Sequence, residues 1–148
     1  MIKTYFTSKT ELKGTCYFEF QIGKYTTPWL EDSLYLHADV IAPFTRLITG
    51  THPNKKRGFD FFGLTYLNSD DIKDMIKKLR EFAILLTSKK NIFQALEMME
   101  RYDFTIDKWH ESYTLKLKWD ILKNTAEKLA NWAEEILSKH KTITVCGI

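Results

Sequence analysis

Cysteine, proline and glycine are scarce in this sequence, at two, three and six residues of 148. Two cysteines, Cys16 and Cys146, make no disulfide framework and no Cys-x-x-Cys clip. Both sit in strand-like stretches and read as small buried hydrophobes, able to bridge only if their strands are neighbours. The prolines are scattered, and no repeat or low-complexity tract marks a linker, so residues 1–148 read as a single globular domain. The glycines form neither Gly-x-Gly-x-x-Gly nor the Walker spacing, which removes the two standard nucleotide-binding loops. No apolar run exceeds residues 82–86, too short to cross a bilayer. The opening MIKTYFTSKTELKG has no signal-peptide core. The expectation is a cytoplasmic protein with no membrane partner.

Catalytic signatures are missing in the same way. The four histidines, His37, His52, His110 and His140, are spread along the chain, without His-Glu-x-x-His spacing. No Gly-x-Ser-x-Gly occurs, and neither cysteine has a histidine near it in sequence. The expectation is therefore a protein that is not an enzyme, with no catalytic residue, no cofactor and no metal ligand assigned.

What is present is a rich apolar fraction. Hydrophobic residues make up 44% and aromatics 14%, enough to build a core and to argue against disorder. Lys+Arg number 22 against 19 Asp+Glu, a net charge of +3 that falls well short of a dedicated nucleic-acid binder. Nucleic acid is accordingly not the expected partner.

Hydrophobic spacing divides the chain into strands at both ends and helices between. Residues 2–8 alternate, and residues 15–22 do so more strongly, with Cys16, Phe18, Phe20 and Ile22 on one face and Tyr17, Glu19 and Gln21 on the other; the two suggest a hairpin. Residues 34–36 suit a short strand. Val40, Ile41, Phe44, Leu47 and Ile48 share one helical face, with Pro43 awkwardly inside it, so that a helix there is kinked or confined to residues after Ile41. Phe59, Phe61, Leu64 and Tyr66 suit an extended segment kinked at Gly63, leaving Asp60 facing water.

Asn68 or Ser69 then caps a helix through Ile72, Met75, Ile76, Leu79, Phe82 and Ala83. A shorter stripe follows through Ile92, Phe93, Leu96 and Met99. A longer one runs over residues 117–139 through Ile121, Leu122, Thr125, Leu129, Trp132, Ile136 and Leu137, and residues 142–146 alternate as a last strand. The fold class is α+β: one layer pair, an antiparallel or mixed sheet covered by three to four helices.

Candidate contact residues lie at three places. Trp29, in a loop beside Glu31 and Asp32, either packs at the edge of the core or, if its ring is exposed, is a good interface anchor. His52, Lys55, Lys56 and Arg57 crowd a basic loop able to touch phosphate or an acidic protein patch. Asp70, Asp71 and Asp74 open the capped helix, and further acidic groups stand at Asp103, Asp107 and Glu111. In this reading a protein partner is met by charged patches together with an aromatic anchor.

The segments LYLHADVIAPFTRLI, FDFFGLTYLNSDDIKDMIKKL and LANWAEEILSKHKTITVCGI, with a basic loop after the first, resemble small bacterial immunity proteins of polymorphic or contact-dependent toxin systems. The resemblance covers about half the chain and carries no residue roles. It implies a toxin domain as partner, neutralised by occlusion of its active or substrate-binding site. Inhibitors of basic nucleases are usually acidic and this chain is not, so the resemblance further implies a neutral or acidic toxin, or one held through local patches. The competing expectations are a small nucleic-acid-acting enzyme or toxin using His52 with Lys55, Lys56 and Arg57, and a regulatory or structural interaction module.

Overall fold

Strand β1 (Tyr17–Ile22) follows its alternation, with Phe18 and Phe20 fully buried on one face and Glu19 and Gln21 on the other. The computed structural model describes residues 9, 12, 17–41, 44–53, 56–88, 92–99 and 115–147. The expected strand over residues 2–8, Cys16, Lys55, His110 and the acidic group at Asp103, Asp107 and Glu111 lie outside the described residues.

Strand β2 (Leu34–His37) pairs with β1. Two-residue strands β3 (Gly50–Thr51) and β4 (Arg57–Gly58) form a small ladder inside what reads in sequence as a polar loop. Strand β5 (Leu64–Leu67) and the last strand, β6 (Ile143–Cys146), complete a six-stranded sheet. Its order is β2-β1-β6-β5-β3-β4, and every pairing is antiparallel. The chain's last strand thus lies at the centre of the sheet, where all four of its residues are buried.

Two long helices pack on the face carrying Phe18, Phe20, Leu36, Leu67, Ile143 and Val145. Helix α2 (Ser69–Leu85) begins with a capping box: Asn68 Oδ1 accepts from the Asp71 amide at 2.9 Å, and Asp71 Oδ2 accepts from the Asn68 amide at 3.0 Å. These two bonds satisfy donors that a helix start otherwise leaves open. Its buried stripe is Ile72, Met75, Leu79, Phe82 and Ala83, while Ile76, expected with them, is only partly buried. Helix α4 (Leu115–Lys139) buries Leu122, Leu129 and Ile136 together with Ala126, Ala130 and Ala133. Ile121, Trp132 and Leu137, expected inside, are only partly buried.

Two shorter helices, α1 (Ala38–Ile41) and α3 (Ile92–Met99), complete the described set. The α+β class holds, but the expected three to four covering helices are not matched; two long ones do the covering. The helix expected through Ile48 also differs. It occupies the residues before Pro43, not those after Ile41, and Phe44 to Leu47 form a turn closed by the Leu47 amide on the Phe44 carbonyl at 2.9 Å. Proline offers no amide and disfavours helix in the residue before it. The apolar positions still reach the core, since Ile41, Phe44, Leu47 and Ile48 are buried.

The second face of the sheet is not bare. Glu19, Gln21, Thr144 and Cys146 are buried there, beneath the segment between β1 and β2. That segment is tied down by Gln21 Nε2 donating to the Thr27 carbonyl at 2.7 Å and Thr144 Oγ1 donating to the Gly23 carbonyl at 2.9 Å. Among the described residues, no helix is long and apolar enough to cross a membrane.

Candidate functional site

Glu19 is an acidic side chain only 4% exposed, in the middle of a buried strand. Such a carboxylate demands donors, and the β1–β2 connection supplies them. The backbone amides of Trp29 and Leu30 donate to its two oxygens at 2.8 Å each, and Ser33 Oγ donates at 2.7 Å. Tyr35 Oη lies 3.1 Å from the same carboxylate and 2.6 Å from the Leu30 carbonyl, so its single proton serves two acceptors. Burial works to raise the Glu19 pKa, but the bonds from Leu30, Trp29, Ser33 and Gln21 outweigh it and hold the group below its ordinary value. Burial and the Glu19 charge push the Tyr35 phenol above its usual range.

This clamp sets the pose of Trp29. Its φ is 65°, in the left-handed region that a side chain rarely adopts, at a cost of roughly 1–3 kcal/mol. The charge-assisted bonds to Glu19 offset that cost. The indole stacks on Tyr35 with centroids 5.9 Å apart and planes 11° from parallel, and it remains 39% exposed. Glu31 and Asp32 follow in an exposed turn, where Lys9 Nζ stands 3.5 Å from Glu31. Trp29, Glu31 and Asp32 therefore share one surface.

The remaining sequence candidates form a second group. Arg57, on β4, gives its guanidinium to Asp71 at the start of α2 and to Thr51 Oγ1 at 3.2 Å. Its bond to Asp71 raises its pKa further, and Asp71 is only 6% exposed. Asp74 pairs with Lys78 one turn along, at 2.7 Å. Lys56 and Asp70 are exposed. His52 is partly buried, with its amide donating to the Lys56 carbonyl at 3.4 Å and its Nδ1 buried without a hydrogen-bond partner among the described residues. In the sheet, β1 and β3 are separated by β6 and β5, about 14 Å at ordinary strand spacing. The tryptophan loop and the basic hairpin thus stand towards opposite edges of the sheet.

The aromatic run before α2 is a turn, not a strand. Asp60 Oδ1 accepts from the Phe62 amide at 3.1 Å, and the Asp60 amide donates to Thr65 Oγ1 at 2.9 Å. Phe59 and Phe61 pack on Phe18, while Phe62 is 81% exposed. Gly147 donates to the Gly63 carbonyl at 2.7 Å, and a Cβ there would run into the Phe61 carbonyl. Asp60 closes a local turn, with its orientation fixed by its own neighbours.

Sequence reading missed Glu19, Ser33 and Tyr35. The signal was an acid and an amide, Glu19 and Gln21, alternating with phenylalanines in the strongest strand; what it lacked was any sign that a loop returns over that face. Among the described residues, no three His, Cys, Asp or Glu side chains are grouped to hold a metal ion. Comparison with family models, curated proteins and solved structures gave no match.

Proposed function

We propose that this chain is a non-catalytic binding protein whose contact surface is built on Trp29, Glu31 and Asp32. The most concrete form of that role is an immunity protein of the bacterial cytoplasm that blocks a toxin domain by covering its active or substrate-binding site. The observation that carries the reading is the pose of Trp29: a strained, carboxylate-clamped backbone holds a large ring at the surface, already ordered before any partner arrives. Preorganised aromatic anchors lose little entropy on binding and are frequent hot spots. The sequence resemblance adds the toxin partner.

The nucleic-acid-enzyme reading draws less support. Arg57, one of its phosphate-binding residues, is engaged by Asp71 and Thr51.

The test is co-expression with candidate toxin domains from neighbouring genes. Growth rescue, a 1:1 complex in gel filtration and loss of both in Trp29→Ala are the expected results. An intact complex in Trp29→Ala would overturn the assignment of this surface; failure of rescue and of complex formation would overturn the immunity role.

A further inference from the structure

The Trp29 indole is stacked on Tyr35 on one side, and the residue is 39% exposed. Its surroundings are acidic. Glu31 and Asp32 are exposed in a turn anchored where the Ser33 amide and the Tyr35 hydroxyl both donate to the Leu30 carbonyl, at 3.4 and 2.6 Å. Glu19 adds a buried negative charge behind the loop. An indole face is itself electron-rich, so ring and carboxylates favour the same sign of ligand.

The chain supplies its own example. The Lys9 ammonium stands 3.5 Å from Glu31, with both side chains well exposed. Such a pair is weak and easily exchanged. The exposed Lys24, earlier in the same connection, is the opposing charge.

The geometry points to a receptor for an arginine side chain of the protein partner, laid flat on Trp29 with Glu31 and Asp32 as its counter-charges. Arginine suits this surface better than lysine, because a planar guanidinium stacks on the ring while its N–H groups still reach carboxylates at the rim. This rests on the binding reading and names the chemistry of the partner.

The test needs no partner. The indole N–H of Trp29, assigned by its loss in Trp29→Phe, is followed by NMR during titration with a capped Gly-Arg-Gly peptide and, separately, capped Gly-Glu-Gly. The arginine peptide should shift the Trp29 indole and the Glu31 and Asp32 amides with a dissociation constant on the order of 10 mM. The response should weaken at least about threefold in Glu31→Gln/Asp32→Asn and in added salt. Lys9→Ala, which frees Glu31, should strengthen it by about twofold. The glutamate peptide should leave the indole unmoved. No shift with the arginine peptide, an equal shift with the glutamate peptide, or indifference to the double substitution would overturn the arginine site. If these fail while Trp29→Ala still breaks the toxin complex, only the partner's chemistry is wrong.

Discussion

Glu19 concentrates the chemistry of the molecule in one side chain. Replacing it with glutamine keeps the shape but turns one acceptor oxygen into a donor facing the amides or hydroxyls it served. Glu19→Gln should lose about 2–3 kcal/mol in urea unfolding, the scale of lost bonds to a charged group. The pH dependence has a defined sign. Because the folded pKa lies below the ordinary value of 4.5, the unfolded chain binds the proton first. The stabilisation is complete above that ordinary value and disappears as pH falls through the folded one. Wild type should therefore lose more stability than Glu19→Gln on acidification below that ordinary value; parallel curves would remove the clamp from the account. Cys146, nearby on β6, has its thiol pushed up to about 12 by burial and by the Glu19 charge. In Cys16→Ser, where it is the sole thiol, Cys146 should react with an aromatic disulfide reagent only after denaturant is added.

At the scale of elements, α2 is the part most legible in the sequence. Its stripe, its cap and its acidic first turn are all local features, and each is found where spacing places it. Leu79→Asp should abolish cooperative unfolding, since it sets a charge without partners into the core. Asn68→Ala should cost about 1 kcal/mol by removing one half of the capping box, measured as a shift in urea midpoint with unchanged slope. Less legible was the stretch after β2. There Ile41 reaches the core from a single helical turn, and Phe44 and Leu47 from the turn after it, because burial needs only direction while a helix also needs continuous amide donors. The alanines of α4 were equally quiet. A small residue gives little signal in an apolar stripe, although Ala126, Ala130 and Ala133 are all buried in the core.

For the whole molecule, long-range pairing decides what local pattern leaves open. Nothing in residues 142–146 says that the last strand joins β1 to β5, yet that insertion fixes the sheet order and separates the tryptophan loop from the basic hairpin. Of the surface candidates, Trp29, Glu31 and Asp32 come together because they are near in sequence. Arg57 and Asp71 meet because β4 lies against the start of α2, and they neutralise each other. The covered second face was the least legible feature, since alternation describes a strand's two sides without saying what lies over each. A buried carboxylate, Glu19, locks the loop and presents Trp29 before any partner is bound. Amide hydrogen exchange tests it most directly. The Trp29 and Leu30 amides should exchange slowly in the wild type, as do amides paired within the sheet, and rapidly in Glu19→Gln. Rapid exchange of both amides in the folded wild-type protein would contradict the claim.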